Sequence, residues 1–209
     1  MKTIKENITE EIVEKKSKFI ADIIYVQTIE EAEENIRNIK KKYFDAKHHC
    51  FAYSIMTSNG IINKSSDDGE PSGTAGTPIL NIINKNELIN VLIIVTRYFG
   101  GVLLGTGGLV RAYSESTLKA INNANFVKEE RGYEIEVEIS YNDLEKLNYY
   151  CKNNNINITN SEYSEKVICN LELNNEEKTK LLTNLKELSF KIERYRVVKE
   201  KNIRRKLEK

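Results

Sequence analysis

Nine of the ten glycines and both prolines of this 209-residue sequence fall between Gly60 and Gly108. Glycine concentrates where the backbone must take a positive φ or lie close against another group. One stretch of about fifty residues therefore carries special backbone demands, and the rest of the chain does not. The functional site is expected around that stretch, between Asp45 and Tyr113.

The clearer of its two glycine-rich segments runs Gly100-Gly101-Val102-Leu103-Leu104-Gly105-Thr106-Gly107-Gly108. It follows the apolar run Asn90 to Tyr98, predicted as a strand buried on both faces. It precedes a helix predicted from Leu109 to Ala124, with Val110, Tyr113, Thr117, Ile121 and Ala124 on one face. Glycine-loop N–H groups and a helix N-terminus both favour an anion. Arg97 before the loop and Arg111 after it are suited to bidentate phosphate contacts. The spacing is neither a P-loop, which needs Gly-Lys-Ser/Thr, nor a dinucleotide fingerprint. Close packing of helix on strand explains the same glycines equally well.

The other segment is Asp67-Asp68-Gly69-Glu70-Pro71-Ser72-Gly73-Thr74-Ala75-Gly76. Three carboxylates in four residues suit a hard cation. Asp, Ser and Thr also cap turns and helix starts as a matter of routine. The sequence assigns no metal and no cofactor here. Arg97, Arg111 and Lys64 are candidates for a charge network with the carboxylates.

The only two histidines, His48 and His49, are adjacent. On a strand they face opposite sides, so His48 shares a face with Cys50 and His49 with Phe51. A Cys/His pair is a nucleophile in outline. His48, His49, Cys50 and Asp68 are thus the catalytic candidates, against the blander reading of structural histidines. A zinc site lacks further ligands.

Around this stretch the elements are legible. Lys18 to Val26 reads as the first strand. Thr28 with Glu31 fits a capping box, opening a helix whose last-turn Lys40, Lys41 and Lys42 match its dipole. His48 to Met56 and Ile61 to Lys64 read as strands joined by Ser58-Asn59-Gly60. Pro78 suits the first turn of a short helix with Ile79, Ile82 and Ile83 on its apolar face. After Gly132 the pattern changes: strand Tyr133–Ser140, helix Asp143–Lys152, strands Ile156–Tyr163 and Lys166–Leu173, helix Asn175–Leu188, strand Phe190–Val198. That β-α-β-β-α-β order is the ferredoxin-like signature. The chain is expected to be α+β, with domains at 1–130 and 131–209.

Net charge is +1, so no global field draws the chain to nucleic acid or membrane. Residues 191–209 carry nine Lys/Arg against three Glu, a local +6, which leaves −5 on the rest. That basic end reads either as an electrostatic footprint or as a solvated strand and tail. The N-terminus has no apolar signal region, and the longest aliphatic run, Val91 to Val95, is too short to span a bilayer. Three widely spaced cysteines suggest no disulfide framework. The cytoplasm is the expected compartment.

Three segments in order carry a resemblance: Asp45 to Tyr53, Ser66 to Gly76, and Thr96-Arg97-Tyr98-Phe99-Gly100-Gly101-Val102-Leu103-Leu104-Gly105-Thr106-Gly107-Gly108-Leu109-Val110-Arg111-Ala112-Tyr113. They resemble the signature of the IMPACT/YigZ family over residues 1–130, with Ser114 standing where many relatives have glycine. The resemblance implies a two-layer first domain similar to one shared by a ribosomal protein and elongation factor G. It implies a ferredoxin-like second domain, and the family's eukaryotic relatives act in translational control through partner proteins. The ligand-contacting set it frames is Lys47, His48, Asp67, Asp68, Glu70, Ser72, Gly73, Arg97, Tyr98, Gly100, Gly101, Gly105, Gly107, Gly108 and Arg111. Three functions follow as expectations. The first is a non-catalytic binder of RNA or ribosomal components. The second is an enzyme on a phosphorylated or peptide-like small substrate. The third is a protein-partner scaffold. Whether the chain is an enzyme, and its oligomeric state, stay open at this level.

Overall fold

The computed structural model describes residues 1–57, 59–185 and 187–206. Ser58 of the expected Ser58-Asn59-Gly60 turn, Lys186 of the expected Asn175–Leu188 helix, and 207–209 of the basic end lie outside the described residues. The chain forms two compact units, one with Met1–Lys128 as its body, the other spanning Glu129–Arg205. Among the described residues no helix is long and apolar enough to cross a membrane.

The first unit opens with β1 (Lys2–Ile4) and β2 (Ile8–Glu14), then β3 (Ser17–Tyr25) and α1 (Ile29–Lys42). It continues with β4 (His48–Thr57), β5 (Gly60–Ser66), α2 (Gly76–Lys85), β6 (Val91–Tyr98) and α3 (Gly105–Asn123). Five of its strands form an antiparallel sheet in the order β2-β3-β6-β4-β5. β6 sits at the centre and is buried on both faces up to Arg97, as its unbroken apolar run requires.

Side-chain alternation sorts the sheet into two faces. Phe19, Ala21, Cys50, Ala52, Val91, Ile93 and Val95 pack against Ile79 and Ile83 of α2 and Leu109, Tyr113 and Ile121 of α3. Where two layers are expected, helices cover both faces of the sheet, α2 and α3 on this one and α1 on the other. On the opposite face Ile24, Tyr53, Ile55, Leu92 and Ile94 pack against Ala32 and Ile39 of α1. Thr28 caps α1 by accepting from Glu31 N–H at 3.1 Å. The return bond of the expected capping box lands one residue early, on Gln27 N–H at 2.8 Å.

Three sequence expectations shift. The chain's first strands are β1 and β2, ahead of the strand expected at Lys18. β2 carries glutamates among its isoleucines, so its alternation is faint. α3 starts at Gly105, not Leu109, because its first turn is built from glycines that show no periodicity. Its buried face is set by Leu109, Ala112, Tyr113, Ser116, Thr117, Ala120 and Ile121. Val110, one residue round the helix from Leu109, is exposed.

In the second unit β7 (Phe126–Ile139), α4 (Leu144–Asn153), β8 (Asn157–Tyr163), β9 (Val167–Asn174), α5 (Asn175–Thr183) and β10 (Ile192–Lys206) follow the β-α-β-β-α-β order. A 3₁₀ turn at Tyr141–Asp143 precedes α4. β8 pairs β9, β9 pairs β7, and β10 pairs β7. β7 begins seven residues before the expected Tyr133; its first residues, Phe126 to Lys128, belong to the first unit, where they pair with β1. β10 runs past the expected Val198 to Lys206. Asn174 and Glu177 close a full capping box at the start of α5. Leu147, Cys151, Leu171, Leu181 and Phe190 lie in the core of this unit.

Candidate functional site

The register of the central strands fixes the site. His48 lies opposite Arg97 and His49 opposite Thr96 across β4 and β6. Phe19 lies opposite Arg97 across β3 and β6. His48 and Arg97 therefore share the face that α2 and α3 cover, and His49 faces α1, the opposite orientations that strand geometry demands.

On the α2/α3 face a buried polar network forms around Glu70. Arg97 Nη1 donates to Glu70 Oε1 at 2.6 Å, with the two side chains only 6% and 4% exposed. Tyr113 Oη donates to the same oxygen at 2.9 Å. His48 Nε2 stands 4.0 Å from it. Arg97 Nη2 reaches Ser17 Oγ at 3.4 Å, and the guanidinium carbon lies over the Phe19 and Phe99 rings at 5.4 and 5.6 Å. The Tyr113 hydroxyl is pushed up by burial, with Cys50 and Glu70 beside it adding to the effect.

Cys50 is fully buried. Its one thiol proton is shared between the Asp67 carbonyl at 2.9 Å and Tyr113 Oη at 3.3 Å. Burial, with the charges of Glu70, Asp68 and Asp67, pushes the thiol up to about 12. A thiolate is what a nucleophilic cysteine needs, and here the thiol form is held. Neither of these two thiol partners is His48. Its Nδ1 lies 2.9 Å from the Asp68 carbonyl, which can only accept, so Nδ1 carries the proton.

The three carboxylates of the acidic segment go three ways. Asp67 accepts from Gly73, Ala75 and Gly76 N–H groups at 2.8, 3.0 and 2.8 Å, and so caps α2, whose own N-cap Ala75 has no side chain for the purpose. Burial raises its carboxyl, and the three N–H groups outweigh that and hold it below its ordinary range. Asp68, at φ 41°, accepts from Lys40 Nζ at 2.7 Å and from His49 N–H at 2.8 Å. Burial likewise raises Asp68, and Lys40 and His49 bring it below its ordinary value. Glu70 serves Arg97 and Tyr113. Of the expected charge network, Arg97 joins Glu70, whereas Lys64 pairs with Glu33 at 3.6 Å on the rim of the sheet. Lys40, read in the sequence as a dipole lysine, takes the place expected for Lys64.

On the α1 face, His49 Nε2 donates to the Tyr43 carbonyl at 3.0 Å, and Nδ1 lies 3.7 Å from Asp68 Oδ2. Tyr98, at the end of β6, donates to Asp45 Oδ1 at 2.8 Å. Burial, then Asp45, pushes its hydroxyl up to about 12.

The remaining expected residues are on the surface. Lys47, Ser72, Gly73, Gly100's neighbour Gly101, Gly105, Gly107 and Arg111 are exposed, and Gly108 is half-buried. Gly100 is different. A Cβ there would lie 2.0 Å from the carbonyl carbon of Lys16 and 2.4 Å from Ser17 N, so the loop backbone rests directly on the β2–β3 turn. Gly100 N–H donates to Ser17 Oγ at 3.2 Å. Leu103 and Phe99 of this loop are 85% and 50% exposed. Sequence reasoning missed Ser17, Tyr113 as a hydrogen-bonding member, Asp45, and the Lys15-Lys16 turn. The only sequence signal for that turn is the Glu-Lys-Lys-Ser polar break between two faint β patterns.

The predicted site residues thus fall into a largely buried polar network, in which Arg97 Nε has no hydrogen-bond partner among the described residues, and an exposed rim. Residues 15–121, which contain all of them, match the Impact N-terminal domain. Residues 137–189 match a domain of unknown function, DUF1949. The chain is 40% identical to the IMPACT family member YvyE of Bacillus subtilis (strain 168) over 165 residues, covering 79% of this chain and 76% of that protein. It is 32% identical to the IMPACT family member YigZ of Escherichia coli (strain K12) over 167 residues, covering 79% of this chain and 81% of that one. A crystal structure of a hypothetical protein superposes with a TM-score of 0.64 at 28% identity, covering 92% of this chain and 97% of that chain. With its N-terminal domain matched across the whole glycine-framed stretch and relatives aligned over most of its length, the chain belongs to the IMPACT family.

Proposed function

We propose that this IMPACT family chain is a translation-associated binding protein that engages RNA, free or within the ribosome, at the exposed end of its first sheet, and performs no chemistry there. The observation that carries this reading is a cross-strand row. Lys18 is the register partner of Tyr98. Lys47 immediately precedes His48, the partner of Arg97, and so flanks Tyr98 on the other side. The row Lys18–Tyr98–Lys47 sets an aromatic ring between two cations. Phe44, beside the Asp45 that holds Tyr98, is 82% exposed. Aromatic rings between lysines at the open end of a sheet are what stacked bases and their phosphates recognise.

The cations on offer are surface ones. Lys47 and Arg111 have no ion-pair partner among the described residues, whereas Lys18 pairs with Glu11 at 2.8 Å. Arg97 is already neutralised by Glu70, so its role is to hold the strand end rather than to meet phosphate. The buried groups that suggested catalysis are consumed internally: Cys50 is held as a thiol, and Asp67, Asp68 and Glu70 each serve a different internal donor.

The test is fluorescence anisotropy with a labelled RNA oligonucleotide across a salt series. The wild type binds with a steep salt dependence. Lys47→Ala and Arg111→Ala each flatten the slope by about 0.7, the value for one phosphate contact on a single strand. Tyr98→Ala weakens binding with little change of slope. No RNA binding by a folded wild type, or full affinity in the Lys47→Ala/Arg111→Ala/Tyr98→Ala variant, removes the reading.

A further inference from the structure

The turn between β2 and β3 is built from two lysines. Glu14 pairs with Ser17, which leaves Lys15 and Lys16 as a two-residue hairpin loop with φ of 45° and 67°. Two-residue hairpins of this kind favour Asn-Gly, because both central residues need positive φ. Here both positions carry long cations instead. Both are exposed, and neither has an ion-pair partner among the described residues.

This turn lies against the glycine loop. The backbone of Gly100 contacts Lys16 and Ser17 so closely that no Cβ fits between them. Phe99, the preceding residue, exposes half of its surface, and the Arg97 guanidinium lies 5.6 Å from its ring centre. α3 runs antiparallel to β2, since Asn123 and Lys119 reach Glu10 and Lys119 also reaches the Glu11 carbonyl. Its N-terminal end, with Arg111 in the second turn, is therefore directed toward the Lys15-Lys16 end of the hairpin. Two unpaired ammonium groups, an exposed ring backed by a guanidinium, and a further arginine lie on one side of the sheet end.

We infer that the ligand taken at this end is single-stranded RNA rather than duplex, with Lys15 and Lys16 as a phosphate clamp and Phe99 as the stacking platform beside it. The inference rests on the RNA-binding reading above and specifies it. A duplex hides its base faces, so an exposed ring gains nothing from it, whereas every unpaired base has a face to stack. The turn sets two cations against the Gly100 backbone, one residue from the ring, where the phosphates of a strand stacked on Phe99 are to be met.

The experiment compares a labelled 12-nucleotide RNA with the 12-base-pair duplex of the same sequence, by anisotropy over a salt series. The clamp variant is Lys15→Asn/Lys16→Gly, which removes both charges and supplies the residues this turn geometry prefers, so its thermal midpoint stays level or rises. Expected are a preference for the single strand, a salt slope shallower by about 1.4 in the clamp variant, and about tenfold weaker single-strand binding in Phe99→Ala. Equal affinity for single strand and duplex overturns the inferred ligand class. An unchanged slope in the clamp variant overturns the role of Lys15 and Lys16. A folded wild type that binds neither RNA overturns the underlying binding reading instead.

Discussion

Arg97 and Glu70 are 27 residues apart in sequence and form one buried ion pair, Nη1 to Oε1 at 2.6 Å. Glu70 comes from the acidic loop and Arg97 from the end of the central strand, so the pair ties the two glycine-rich segments together. Tyr113 of α3 adds a third element to the same oxygen. Breaking a buried pair strands a charge, which costs about 3–5 kcal/mol. Glu70→Ala and Arg97→Ala are each expected to destabilise by that amount in urea unfolding. The apolar double variant Glu70→Leu/Arg97→Met is expected to lose much less than the sum of the two. A single variant that loses under about 1 kcal/mol contradicts the pair's anchoring role.

Asp67 gives a more local test. Its carboxylate accepts from the backbone N–H groups of Gly73, Ala75 and Gly76 at the entrance to α2. Asp67→Ala takes this acceptor from all three and removes a charge placed at the positive end of the helix. The expected loss is about 2 kcal/mol. Asp67→Asn, which keeps one accepting oxygen, is expected to lose roughly half of that. Equal losses in the two variants by urea unfolding point away from capping.

The Cys50 thiol separates binding from chemistry without any ligand. It is fully buried and pushed up to about 12. Alkylation requires the thiolate and access. In native protein at pH 8, iodoacetamide is expected to leave Cys50 unmodified for hours and to label it on unfolding in urea, as read by peptide mass. Rapid native labelling of Cys50 revives the nucleophile reading.

Much of this was legible in the sequence, and the reasons differ by residue. β6 and α2 announced themselves, one by an unbroken apolar run and the other by Pro78 before spaced isoleucines. Thr28 and Glu31 marked the start of α1. The glycines drew attention to residues 60–108, while His48, His49 and Cys50, which lie outside that stretch, became candidates through their residue types. The partnerships inside the site were not legible, because they join residues far apart in the chain: Cys50 to Tyr113, Lys40 to Asp68, Ser17 to Gly100. The three carboxylates sit within four residues, yet Asp67 serves backbone N–H groups at α2, Asp68 serves Lys40 and His49, and Glu70 serves Arg97 and Tyr113, a division that no local pattern announces. The start of α3 was hidden by its own glycines, which have no side chains to reveal a helical period. The Lys15-Lys16 turn left only a polar break in the sequence, because nothing in a Lys-Lys dipeptide predicts a two-residue turn.

Stability against acid is expected to track Asp68 and Asp67. Both carboxyls sit below their ordinary value of 3.8 in the folded chain, despite the opposing effect of burial. A depressed folded pKa contributes stability that is fully present above the unfolded value and is lost as pH falls through the folded one. Urea midpoints should therefore hold level from pH 7 to about 5 as far as these groups are concerned, and fall below pH 4. Lys40→Met removes the Asp68 partner, so part of that acid sensitivity is expected to disappear. A variant whose pH profile superimposes on wild type places the sensitivity elsewhere.

Two adjacent glycines allow close contact and backbone freedom to be measured apart. At Gly100 the cost of a side chain is steric: its Cβ would lie 2.0 Å from one backbone carbon, with backbone on the other side of the gap and no flexible side chain to yield. At Gly101 there is nothing within 4 Å, and the cost is only that of a side chain at φ 82°. Gly101→Ala is therefore expected to lose about 1 kcal/mol. Gly100→Ala must lift the loop off the Lys15-Lys16 turn and break the hydrogen bond to Ser17, so its loss is expected to be about 3 kcal/mol or more. Thermal and urea unfolding give the two losses directly. The same pair also reports on the rim: because Gly100 holds Phe99 beside the two lysines, Gly100→Ala should weaken RNA binding more than Gly101→Ala even at temperatures where both variants are fully folded. Equal binding by the two variants means that the contact between loop and turn supports the fold and plays no part in presenting the rim.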